Sequence, residues 1–184
     1  MGHTEFLVGS GSSAPSNLPD AIRDLEEASI IFMMRWRDND HHRAGQITQK
    51  ALQLFDFISN EILREKVERL GSGTYEGSAF QAAMKIFCGS GTTNVNLQQQ
   101  QAMVQAGAGV GNIASSLGPK IELTLDRLLN KIKHRNRHLM NFRNENGRHI
   151  FLICPEYTQG GAEGIYEFDV IDFCNKCRLT VSAL

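Results

Sequence analysis

The sequence predicts a mainly α protein, a bundle of about five helices carrying a small antiparallel β element at its C-terminal end. Three observations lead there. Apolar residues recur at helical spacing through residues 18–37, 43–70 and 121–148. Glycine-rich breaks separate these stretches. After Gly147 the pattern changes to short continuous or alternating apolar runs rich in β-branched and aromatic residues.

Residues 9–17, GSGSSAPSN, have the composition of a flexible arm. Asn17 then offers a cap and Pro19 a first-turn residue, so helix 1 is expected to run from Leu18 to about Arg37, with Ile22, Leu25, Phe32 and Trp36 on its stripe. After the polar break DNDHH, Asp40 can cap a second helix from about Arg43 to Leu70, striped by Ile47, Ala51, Leu54, Phe55, Ile58 and Ile62. The two GSGT tetrapeptides at Gly71 and Gly89 bracket a shorter helix, Tyr75 to Cys88. A fourth helix ends near Ala106. Gly107, Gly109 and Gly111, each costing about 1 kcal/mol relative to alanine inside a helix, mark a hinge or a close backbone approach. Gly118 and Pro119 precede the fifth helix, Ile121 to Arg148. Beyond it, Ile150 to Cys154, Ile165 to Ile171 and Arg178 to Val181 read as strands, with Gly160, Gly161 and Gly164 at the first turn. The organisation expected is an arm (1–17), a helical domain (18–149) and a β-rich element (150–184).

The fifth helix carries the strongest charge asymmetry. Residues 121–149 sum to +4 while the segments on either side sum to −2 and −3, and no acid falls between Arg127 and Arg143. On a helical wheel Ile121, Leu125, Leu128, Ile132, Leu139 and Phe142 share one face. The opposite face gathers Arg127, Lys131, Lys133, His134, Arg137 and His138, with Arg135 at the stripe's edge and Arg143 beyond. An unpaired basic face of this kind fits phosphate contacts, so a nucleic acid is the expected partner, RNA ahead of DNA because no helix-turn-helix or zinc-finger spacing is present. Five or six contacts would give a slope of log affinity against log salt of about −4 to −5. The alternatives are an acidic protein surface bound by an interaction adaptor, or a solvated basic face with no partner.

Other motifs offer less. His149, Cys154, Cys174 and Cys177 supply four soft ligands and one C-x2-C spacing for zinc, against the simpler expectation of buried free thiols. His134 and His138 have zincin spacing, but RNR stands where that motif needs its glutamate. GSGSS, GSGT and GAGVG lack the Gly-Lys-Ser/Thr of a phosphate loop, and no nucleophile elbow occurs. Catalysis is therefore assigned to no residue, and a small enzyme with an unrecognised site is the remaining alternative. The amide run Gln98 to Gln101 reads as a polar helix face or a subunit contact, which makes a homo-oligomer the expected state. Phe6 to Val8 is too short for a signal-peptide core and no apolar run approaches the roughly 20 residues of a membrane helix, so a cytoplasmic protein is expected.

Overall fold

In a computed structural model that describes residues 17–156 and 164–184, six helices pack around a five-stranded antiparallel sheet. The proposed arm up to Ser16, and the Gly160 and Gly161 turn, lie outside the described residues. The expected helical bundle with a small β appendage is thus wrong: the sheet is the centre of the fold.

The chain begins as expected. Asn17 accepts the Asp20 amide at 2.9 Å and starts α1, Leu18–Arg37, with Pro19 in its first turn. The side chain of Asp40 accepts the Arg43 amide at 3.3 Å and caps α2, His41–Ser72, which ends at left-handed Gly73. The third helix is much shorter than expected. α3 covers only Ala79–Met84, and the chain enters strand β1, Phe87–Thr93, through the second GSGT segment. That segment is extended because Gly91 lies against a ring. A Cβ there would meet Tyr166 Cδ1 and come within 2.7 Å of the Ile165 carbonyl. Gly91→Ala should therefore cost about 1–3 kcal/mol in chemical denaturation. Gly71→Ala in α2, with nothing within 4 Å of its added Cβ, should cost nothing.

α4, Leu97–Gln105, follows a capping box made by Asn96 and Gln99. Gly107 and Gly109 then turn the chain with φ of 104° and 84°, and Gly109 passes against the Trp36 indole, where a Cβ would lie 2.9 Å from Cζ2. The single basic helix expected from Ile121 to Arg148 is three elements: β2, Ile121–Thr124; α5, Leu125–Lys133; and β3, Arg135–Glu145. Thr124 caps α5 and accepts the Arg127 amide at 3.4 Å, and Leu125, Leu128, Leu129 and Ile132 bury its stripe. Beyond His134 the backbone is extended, and Leu139 and Phe142, aligned on a helical wheel, face opposite sides of the sheet. Asn146 and Gly147, at φ 54° and 83°, form the two-residue hairpin loop that pairs Glu145 with Arg148 and starts β4, Arg148–Pro155.

β5, Gly164–Asp169, ends where Asp169 accepts the amides of Ile171 and Asp172 and caps α6, Val170–Val181. The strand expected at Arg178 to Val181 is therefore helix. The sheet runs β2-β1-β5-β4-β3. One face presents Phe142, Phe151, Ile153, Tyr166 and Phe168 to α1, α2, α3, α5 and α6. The other presents Leu139, Ile150, Leu152, Cys154 and Ile165 to Met103 of α4 and to Ile113. Cover on both faces explains the unbroken apolar run Ile150 to Cys154. No described helix is long and apolar enough to cross a membrane.

Candidate nucleic-acid interface and the aromatic cavity beside it

The structure divides the eight expected phosphate-binding residues into two groups. Arg135 and Arg143 are internal. Arg135 is 4% exposed and its Nη1 donates to Asp56 Oδ1 at 2.7 Å and to the Ile132 carbonyl at 2.8 Å, while Nη2 donates to the Leu52 carbonyl at 3.2 Å. It ties β3 to α2 and satisfies one of the last carbonyls of α5. Arg143 lies on the other face of the sheet, donating from Nη1 to Glu167 Oε2 at 2.6 Å and from Nη2 to Glu145 Oε2 at 2.8 Å. Glu167 also accepts Lys120 and the Ser90 hydroxyl at 3.4 Å. Burial alone would raise the Glu167 pKa, but the hydrogen bonds and charges of Arg143 and Lys120 hold it below the usual carboxylate range.

The remaining six form one run along α5 and the start of β3. Arg127, Lys133, His134, Arg137 and His138 are exposed. Lys131 places its Nζ 5.0 Å over the Tyr166 ring. Among the described residues, Arg127, Lys131, Lys133, His134 and His138 have no carboxylate partner. Arg137 reaches Asp56 Oδ2 at 3.4 Å, but its side chain stays 73% exposed. Among the described residues, acids border the run at both ends: Asp126 precedes Arg127 and accepts Lys66 at 2.7 Å, and exposed Glu156 donates its amide to the His134 carbonyl at 2.6 Å. Part of the basic character has a local cause, since Lys131 and Lys133 occupy the last turn of α5, where cations complement the helix dipole.

Next to this run, the α1–α2 hairpin and the sheet enclose aromatic side chains that sequence reasoning had placed only as core. Phe142 meets Phe32 and Trp36 edge-on at 4.7 Å, and His41 tilts against Trp36 at 4.5 Å. A cavity of about 310 Å³ opens here, with Phe32, Phe142 and Phe151 in its floor and His41, Gly45 and Ala108 exposed at its rim. No local signal marks this cavity, because α1, α2, β3, β4 and the loop after α4 each contribute to it.

The four expected zinc ligands do not converge. His149 stacks on Phe32 at 4.8 Å, and its Nδ1 lies 2.9 Å from the Ser29 hydroxyl. Burial pushes its pKa down to about 4. Cys174 and Cys177 sit in the core on the helix-rich face with Cys88, while Cys154 sits in the core on the opposite face. Burial raises the Cys88 and Cys174 thiols to about 12 and Cys177 well above its ordinary value. Among the described residues no group of three or more His, Cys, Asp or Glu is arranged to hold a metal ion. In the amide run, Gln99 is used in the α4 cap and Gln100, 2% exposed, donates to the Gly164 carbonyl at 3.0 Å. Gln98 and Gln101 remain exposed.

The architecture is an α/β sandwich of one antiparallel sheet with helices on both faces. No family model matches the sequence, and no curated protein or solved structure matches it.

Proposed function

We propose that this protein binds nucleic acid, RNA first, through phosphate contacts and without catalysis. One observation carries the reading: Arg127, Lys131, Lys133, His134 and His138 follow one another along α5 and into β3 with no carboxylate partner among the described residues. Lysine and arginine side chains left unpaired in a folded chain attract phosphates because each contact releases condensed counterions. The same reading includes self-association, for which α1 presents Ile30, Ile31 and Met34, exposed at 50%, 43% and 50%.

Fluorescence anisotropy of a labelled single-stranded RNA, titrated at several salt concentrations, tests it. With Arg135 and Arg143 engaged elsewhere, roughly three or four contacts give a slope of log affinity against log salt of about −2 to −3. The combined Arg127→Ala, Lys133→Ala and Arg137→Ala variant should flatten that slope toward zero. An affinity at low salt that the triple variant leaves unchanged overturns the proposal. Equal binding of polyglutamate and RNA would favour an acidic protein partner instead.

A further inference from the structure

We infer that the aromatic cavity between the α1–α2 hairpin and β3 receives one unpaired nucleobase of the strand whose phosphates lie on the α5–β3 cations; the inference rests on the nucleic-acid reading above. Geometry places the cavity and exposed Arg137 along one side of α2. His41, Gly45 and Thr48 of α2 line the cavity, and farther along the same side of that helix Leu52 and Asp56 hold Arg135 and Arg137. Thr48 and Asp56 are eight residues apart in α2, about 12 Å along its axis. A single strand covers that distance in a few nucleotides at about 3.4 Å or more each. A base seated in the cavity and a phosphate on Arg137 can therefore belong to one short stretch.

The chemistry of the walls suits a planar apolar guest. At about 310 Å³ the cavity is at the small end of the roughly 300–1,000 Å³ typical of ligand pockets. Its floor is aromatic, Met140 flanks it, and the exposed His41 ring at the rim supplies a further stacking surface. Of its polar lining, Asn141 and Thr48 are already engaged, which leaves the Trp36 indole N–H and the His41 ring nitrogens. The Asn141 amide donates to the Met103 and Gly107 carbonyls at 2.9 and 3.0 Å and its Oδ1 accepts the Phe142 amide at 2.8 Å. Thr48 donates to the Ala44 carbonyl at 3.0 Å. Stacking on the aromatic floor is therefore the main recognition, and stacking is tolerant of all four bases. The rim is not acidic, because Asp40 is spent on the cap of α2 and on Arg43, at 3.5 Å.

Trp36 is the single tryptophan of the chain and lines the cavity, so its emission reports occupancy directly. The probes are a decamer of uridylate and a decamer of the same backbone with every base removed. The uridylate should quench Trp36, whereas the abasic strand should bind at least ten-fold more weakly and leave the emission unchanged. Gly45→Leu is the selective variant. Gly45 is an exposed helical residue at the rim, and a Cβ there meets nothing within 4 Å, so leucine can occupy the opening without disturbing α2. Gly45→Leu should keep its circular dichroism and melt at the same or a slightly higher temperature, lose the quenching, and bind both decamers with the weaker affinity. Equal affinity for the two decamers in the native protein, or undiminished quenching in Gly45→Leu, overturns the base pocket and leaves phosphate binding standing. Failure of both decamers to bind at low salt defeats the nucleic-acid reading itself, and the pocket with it.

Discussion

Arg135→Ala should lower the free energy of unfolding by about 3–5 kcal/mol. The residue has the sequence context of a surface cation, between His134 and Asn136, yet its side chain is only 2% exposed. Alanine would remove three charge-assisted hydrogen bonds at once, those to Asp56, Ile132 and Leu52. Asp56, 34% exposed, can turn to water or to Arg137, which places the cost toward the lower end of the range. The Ile132 carbonyl, near the end of α5, would lose its 2.8 Å bond from Arg135 Nη1. Arg135→Met fills most of the volume and should lose less. Arg137→Ala, whose target side chain is 73% exposed, should change stability by under about 1 kcal/mol. Urea titrations of the three variants give the comparison. Similar losses for Arg135→Ala and Arg137→Ala would mean that the two arginines are both surface charges.

That contrast shows what was legible in the sequence and what was not. α1 could be read because its information is local: Asn17 caps it, Pro19 opens it, and its stripe repeats at helical spacing for 20 residues. α2 was read nearly to its ends for the same reason. Residues 121–148 misled because α5 supplies a true helical stripe as far as Ile132, and Leu139 and Phe142 happen to continue its phase in a strand. Asn146 and Gly147 were the available correction, since that dipeptide is the strongest short-range hairpin signal and forbids a helix through the turn. α6 was hidden by β-branched residues at both ends, although Asp169 ahead of Val170 was a readable cap. The cation set failed in another way. A charge is free or spent according to its partner: Glu145, two residues from Arg143, was a readable one, but Asp56 lies 79 residues from Arg135 and Glu167 lies 24 from Arg143. Only the folded sheet brings them together. The aromatic cavity has no local signature for the same reason.

The pH dependence of stability should be dominated between pH 6.5 and 4 by His149, with a loss of up to about 3 kcal/mol on acidification across that range. The imidazole stacks on Phe32 at 14° between planes, stands edge-on to Phe142, and contacts the Ser29 hydroxyl. In that setting the charged form is desolvated, so the native pKa falls to about 4 from the ordinary 6.5. The unfolded chain takes up a proton near pH 6.5 that the native state refuses until about pH 4. The contribution is therefore complete above pH 6.5, declines as the pH drops, and is exhausted near pH 4. Glu167 acts in a separate window. Its native pKa is depressed, so the stability from its contacts with Arg143 and Lys120 persists above the ordinary carboxylate value of 4.5 and is lost only at lower pH. His149→Gln retains a hydrogen-bonding partner for Ser29 and has no titrating group, so it should start from lower stability yet show a nearly flat profile from pH 7 to pH 4.5. Urea unfolding of both proteins at closely spaced pH values measures the difference. Parallel profiles would show that native His149 takes up its proton at the same pH as the unfolded chain, and that its burial in the aromatic cluster joining α1 to β3 and β4 does not keep it neutral.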